Sequence, residues 1–215
     1  MKSRTPARFI TLEGGEGAGK STQARRLVSS LEARGIACIA TREPGGSPGA
    51  EEVRKLLVSG ATDRWDALTE TLLMFAARAD HVTKTIRPAL DARQWVVCDR
   101  FTDSTYAYQG AGRGVPRETI RRLESLVLEG FKPDLTLVLD LPVDTALSRL
   151  AGPGRAAHEN RFEKFDRSFH EKLRNAFLAA AKRSPDRCAV IDASPNEDAV
   201  ADSIWQIVRK RFRVR

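Results

Sequence analysis

Apolar residues along the chain come in short runs set between longer amphipathic stretches. Phe9–Glu13 (F-I-T-L-E), Ile36–Thr41 (I-A-C-I-A-T), Trp95–Asp99 (W-V-V-C-D), Leu135–Asp140 (L-T-L-V-L-D) and Ala189–Asp192 (A-V-I-D) predict strands. Leu135–Asp140 is apolar on both faces, as a buried parallel strand requires. Helical patterns cover Lys20–Arg34, closed by Gly35, and then Ala50–Val58. A long one over Trp65–Ala92 is expected to bend at Pro88. Others cover Pro116–Glu129, with Pro116 in its first turn, Val143–Leu150, Phe162–Lys182 and Glu197–Arg211. Pro44–Gly49 is rich in turn residues, Phe101–Gly114 reads as a loop, and Gly152-Pro153-Gly154 predicts a mobile segment. Strand and helix alternate, so the expected fold is α/β, a five-stranded parallel sheet flanked by helices, as a single domain over residues 1–215.

Composition narrows the class. The chain has 215 residues, 41% hydrophobic and 30% charged, which is ordinary for a soluble domain. No apolar stretch is long enough to span a bilayer, and no signal-peptide core follows Met1–Arg8, so a cytoplasmic protein with no membrane partner is expected. Cys38, Cys98 and Cys188 are odd in number, widely spaced and set in strand-like runs, which predicts buried thiols. The net charge of +8 fits either nucleic acid or small phosphorylated ligands. The arginines are dispersed and not interleaved with aromatics, which disfavours a nucleic-acid groove. The dense run Arg209–Arg215 reads as a solvated helix end.

The chemistry starts at Leu12–Thr22. Gly14, Gly19, Lys20 and Ser21 satisfy G-x-x-x-x-G-K-[ST], after a predicted strand and before a predicted helix. Gly14, Gly15, Gly17 and Gly19 permit a tight turn with inward N–H groups, and the helix adds its positive end. The loop Gly14, Gly15, Glu16, Gly17, Ala18, Gly19, Lys20, Ser21 and Thr22 is therefore expected to bind a nucleoside triphosphate. Lys20 can reach the β- and γ-phosphates and the Ser21 hydroxyl can hold Mg²⁺. Asp99 and Arg100 end the third strand, on the side where open α/β sheets bind ligands. Asp99 can hold Mg²⁺ through water and Arg100 can neutralise a transferring phosphoryl group. A structural ion pair is the alternative. The hydroxyls, aromatics and amide of Phe101–Gly114 suit a base and a sugar, or equally a packed irregular segment.

E-G-G-E-G-A-G-K-S-T, T-R-E-P-G-G, F-A-A-R, D-R-F-T-D-S-T-Y-A-Y-Q-G-A-G-R-G and P-D-L-T-L-V-L-D, in this order, resemble the bacterial thymidylate kinases, which are P-loop nucleoside monophosphate kinases. The match covers Phe9–Asp140 well and weakens after Leu150. The resemblance implies a three-layer P-loop NTPase fold with a mobile lid at about 151–161, and phosphorylation of dTMP to dTDP by ATP and Mg²⁺ in a homodimer. It implies that Glu16 lies near the acceptor 3′-hydroxyl, that Glu43 and Pro44 line the nucleotide pocket, and that Arg54 and Arg100 meet acceptor phosphate. It also implies that Phe75 stacks on the base, with Met74 as the alternative, and that Arg78, Thr105 and Gln109 read the base. Tyr108 would pack on the deoxyribose.

The resembled family carries a catalytic arginine either in the phosphate loop or in the lid. Gly15, Glu16, Gly17 and Ala18 include none, so the lid is expected to supply it. Arg155 is the first choice, Arg161 the second, and Arg149 is also available. Asn160-Arg161-Phe162-Glu163 resembles the family's D-R-[FI]-E with Asn for Asp. The competing readings are another nucleoside monophosphate or deoxynucleoside kinase and, more remotely, a P-loop nucleic-acid-binding ATPase.

Overall fold

The structure is a computed structural model that describes residues 6–151 and 161–214. Five parallel strands lie in the order β2-β3-β1-β4-β5: β1 Phe9–Glu13, β2 Cys38–Arg42, β3 Trp95–Asp99, β4 Leu135–Asp140 and β5 Cys188–Asp192. The strand side chains alternate between two faces. Ile10, Leu12, Trp95, Val97, Leu135, Leu137 and Leu139 pack under α1 (Lys20–Glu32) and α9 (Glu197–Phe212). Phe9, Val96 and Cys98 face Val82, Ile86, Phe101 and Leu128 on the other side. Val138 and Cys188 on that side meet α8 (Arg167–Arg183) through Phe169, Leu173 and Phe177. Each fully buried aliphatic or aromatic side chain contributes about 1.5–3 kcal/mol, so the sheet centre is the stable platform behind the strand ends.

The remaining helices are α2 Pro48–Val58, α3 Ala67–His81, α4 Arg87–Asp91, α5 Thr102–Thr105, α6 Arg117–Leu128 and α7 Val143–Leu150. Helix α1 ends at Glu32, before the expected Arg34, because the last turn tightens: Arg34 N–H donates to Leu31 O and Gly35 (φ 72°) turns the chain away. The long pattern ending at Ala92 divides into α3, a π segment Val82–Ile86 and α4, with the π segment directly before Arg87-Pro88.

Two expectations are corrected. Phe101–Gly114, read as a loop, is mostly helical: α5 passes into a π segment over Tyr106–Gly112. A π turn bonds i to i+5, so its buried residues do not follow the 3.6-residue period that marks a helix in sequence. The helix expected from Phe162 starts at Arg167, because the Asp166 side chain caps it by accepting from Phe169 N–H. A separate 3₁₀ turn covers Arg161–Lys164. Residues 152–160, which include Arg155 and most of the expected lid, lie outside the described residues.

Among the described residues no helix is long and apolar enough to cross a membrane. Cys38, Cys98 and Cys188 are free and buried. Burial, then the Glu32 charge, pushes the Cys38 thiol up to about 11, which leaves it an inert small hydrophobe.

Candidate active site

The phosphate loop runs from the end of β1 to the start of α1. Gly14 has φ 137° and a Cβ there would lie 2.5 Å from the Leu139 carbonyl oxygen, so the loop can pass β4 only without a side chain. Gly19 (φ 84°) starts α1 in the left-handed region. Lys20 is buried and donates to Gly15 O at 2.6 Å, across the loop. Burial, with the Arg100 charge, lowers its pKa to about 8 despite Glu16 and Asp99. Ala18 faces the hydrophobic core, so only its backbone is available to a phosphate.

Ser21 Oγ donates to Asp99 Oδ2. The other Asp99 oxygen is buried without a partner among the described residues. A lone carboxylate oxygen beside a hydroxyl suits a hard cation that keeps waters and takes its remaining ligands from phosphates. No group of three or more His, Cys, Asp or Glu able to hold a metal occurs among the described residues.

Arg100 follows β3 with φ 72°, a left-handed conformation uncommon for a long side chain. Its N–H donates to Leu12 O, which locks the turn. The guanidinium donates to Gly14 O (2.9 Å), Ser104 Oγ (3.1 Å) and Glu16 Oε1 (2.9 Å) and lies 4.9 Å from the Tyr108 ring centre. Tyr108 Oη donates to the same Glu16 oxygen at 2.9 Å. Burial would raise the Glu16 pKa, but Arg100, Lys20 and the Tyr108 hydroxyl together hold it down at about 2. Below Arg100, the buried Glu13 accepts from Phe101 N–H and Ser104 Oγ, at 2.8 and 2.6 Å. Burial and then Asp103 push the Glu13 pKa up to about 8.

The far end of the site is built on α3 and the π segment. Glu43 follows β2. Arg78 Nε donates to Glu43 Oε2 at 2.7 Å and Arg78 Nη2 donates to Thr105 Oγ1 at 3.0 Å. His81 holds the other Glu43 oxygen at 3.0 Å and Thr41 Oγ1 at 2.7 Å. Gly46 must lack a Cβ, which would lie 2.3 Å from His81 Nε2. The third Arg78 nitrogen, Nη1, is buried without a partner among the described residues. Arg54 Nη1 donates to Pro44 O at 2.7 Å.

Phe75, expected to stack on the base, is not among the residues that line the cavity. It is buried with Val115 and Ile120 and lies under the Arg78 guanidinium, 4.9 Å from ring centre to Cζ. Met74, four residues before Arg78 and so on the same helix face, lines the cavity instead. Arg161, the second choice for the lid cation, is fully buried; it donates to Glu70 and to the carbonyls of Leu57, Ala61 and Thr62. Arg149 donates to the Ala193 and Ser194 carbonyls. Arg155 lies outside the described residues.

One cavity of about 470 Å³ joins the two ends. Its walls include Glu16, Lys20, Ser21, Asp99 and Arg100 at one end and Glu43, Pro44, Arg54, Met74, Arg78, Thr105, Tyr108 and Gln109 at the other. Arg25, Arg42, Ser104, Phe162 and Glu163 also line it, and none of them had been given a site role from sequence. Ser104 sits inside D-R-F-T-D-S-T, Arg42 inside T-R-E-P-G-G, and Phe162 and Glu163 inside N-R-F-E, and those motifs were the available signal; Arg25 had none beyond charge.

The sequence model of the family described as thymidylate kinase matches residues 12–204. The chain belongs to the thymidylate kinase family. It is 55% identical over 204 residues to the thymidylate kinase of Caulobacter vibrioides, covering 95% of this chain and 97% of that one. Identity to the thymidylate kinase of Rhizorhabdus wittichii is 54% over 194 residues, covering 89% and 93%. The crystal structure of thymidylate kinase from Ehrlichia chaffeensis superposes with a TM-score of 0.75 at 34% identity, over 94% of this chain and 98% of that one. The protein is thus an enzyme, a nucleoside monophosphate kinase with the P-loop NTPase fold.

Proposed function

We propose that the cavity holds ATP and dTMP with their phosphates facing each other between Lys20 and Arg100, and that the protein phosphorylates dTMP to dTDP. The observation that carries the reading is the continuity of the cavity. A phosphate loop with a buried lysine opens directly onto a second end lined by Arg78, Thr105 and Gln109. Family membership supports dTMP as acceptor, and the family's donor is ATP.

In this reading the loop N–H groups and Lys20 hold the donor phosphates, and Ser21 and Asp99 hold Mg²⁺. The ion, when bound, neutralises charge on the β- and γ-phosphates. Arg54 and Arg100 take the acceptor phosphate. An oxygen of that phosphate attacks the γ-phosphorus while the bond to the β–γ bridging oxygen breaks, so ADP leaves with the bridging oxygen. The acceptor phosphate is largely ionised near neutral pH, its second pKa being about 6. Positioning and charge neutralisation therefore do most of the work, with no side-chain base required. Arg78, Thr105, Gln109 and Met74 face the base and Tyr108 the sugar, with Glu16 near its 3′-hydroxyl. Arg155 supplies the further cation.

We also propose a homodimer acting in the cytoplasm. Leu68 and Leu72 lie four apart on α3, with Leu126 on α6, and all three are large exposed apolar side chains. The test of the function is an acceptor panel: initial rates with dTMP, dUMP, thymidine, GMP and AMP at fixed ATP. The account expects dTMP to be preferred; a preference for thymidine or a purine monophosphate removes it.

A further inference from the structure

Glu70 stands in the first turn of α3, fully buried and behind the cavity wall. Its two oxygens are divided between different partners. Oε1 accepts from Gln109 Nε2 at 2.9 Å. Oε2 accepts from Arg113 Nη1 at 3.0 Å and Arg161 Nη1 at 2.5 Å. Both arginines are also fixed to backbone carbonyls, Arg113 to Thr62 and Trp65 and Arg161 to Leu57, Ala61 and Thr62. The carboxylate is thus held from one side by two anchored cations, and Gln109 is held by the carboxylate.

An ionised carboxylate has no proton to give, so the amide group facing it is the NH₂ of Gln109. That fixes the face the amide shows elsewhere: its carbonyl oxygen, an acceptor. Gln109 lines the cavity in company with Arg78 and Thr105. We propose that Glu70 is a positioning residue for base specificity, which pins the Gln109 amide so that it accepts from the ring N–H of a thymine-type base. A cytosine ring nitrogen at the same place carries a lone pair and no proton, and meets an acceptor it cannot satisfy. The inference rests on the proposed function in taking Gln109 to face the base. Arg78 remains a second discriminator, since its N–H suits a carbonyl and not an exocyclic amine, so loss of Glu70 relaxes selectivity without abolishing it.

The test is the ratio of dCMP to dTMP dissociation constants, measured by calorimetry in wild type and four variants, with melting temperature beside each. Glu70→Gln gives the partner a donor as well as an acceptor, which frees the Gln109 amide to turn over. Glu70→Asp keeps the charge for the arginines but withdraws it from Gln109, and decides the question if Glu70→Gln does not fold. Both are expected to lower the ratio by on the order of tenfold, the worth of one hydrogen bond. Gln109→Ala is expected to lower it too. Arg113→Ala, which loosens the cluster without touching the Gln109 contact, is expected to lower melting temperature and leave the ratio unchanged. An unchanged ratio in Gln109→Ala overturns the base-facing reading, and the Glu70 inference with it. A lowered ratio there with no change in Glu70→Gln or Glu70→Asp overturns the Glu70 inference alone. An equal fall in Arg113→Ala assigns the effect to general loosening and overturns it as well.

Discussion

Arg100 donates to Glu16 at 2.9 Å, so a cation from the end of β3 and a carboxylate inside the phosphate loop form one ion pair in the cavity wall. Tyr108 adds a hydroxyl to the same oxygen. The pair keeps Arg100 extended across the junction where, in the proposed reaction, two polyanions meet. Glu16→Gln is expected to lower kcat and raise the KM for dTMP, each by roughly tenfold, the effect of losing one charge-assisted contact. Steady-state kinetics check this. The sign in stability follows from a folded-state pKa of about 2 against an ordinary value of 4.5. The variant should melt lower than wild type at pH 7, and the gap should close as pH falls from 4.5 toward 2.

Met74 and Phe75 are adjacent in sequence, but Met74 lines the cavity and Phe75 packs in the core. Met74→Ala is expected to raise the dTMP dissociation constant while melting temperature changes little. Phe75→Ala empties a core site and should cost about 3–5 kcal/mol of stability. Calorimetry and denaturant unfolding separate the two. A dTMP-binding loss confined to Phe75→Ala would reverse the assignment.

The sequence made the sheet legible because buried parallel strands are continuous apolar runs, and Phe9–Glu13, Trp95–Asp99 and Leu135–Asp140 begin and end where read. The phosphate loop was legible because its glycine spacing is itself the geometry. Helix phase on α3 was not: Met74 and Phe75 are both apolar, and only packing against Val115 and Ile120 tells which turns inward. The pairing of Glu70 with Arg161 was equally hidden, since the two lie 91 residues apart and no local pattern marks the contact. The helical nature of Thr102–Gly112 escaped because much of it is π-helical.

Glu13 gives a pH effect of the opposite sign to Glu16. Its pKa is raised to about 8, so its neutral form stabilises the fold fully below 4.5 and that contribution is lost as pH rises through about 8. Glu13→Gln keeps a neutral side chain able to accept from Phe101 N–H. Relative to wild type, its melting temperature should therefore rise as pH goes from 5 to 9. Parallel melting curves for the two proteins across this range would contradict the raised pKa.

In the proposed reaction Arg155 acts in catalysis, whereas Arg161 is part of the buried framework. Arg155→Ala is expected to lower kcat by on the order of 10³, as removal of an arginine that neutralises transition-state charge does, with dTMP affinity little changed. Arg161→Ala leaves buried Glu70 with one cation fewer and should cost about 3–5 kcal/mol of stability. Near-normal turnover in Arg155→Ala removes that residue from the mechanism.

In the proposed reaction one cavity brings two nucleotides together for phosphoryl transfer. ADP release from ATP, followed with no acceptor, with dTMP and with DNA, tests it most directly. Negligible release is expected alone or with DNA, and with dTMP one ADP per dTDP formed. Rapid ATP hydrolysis without dTMP, or stimulation by DNA in its place, would contradict it.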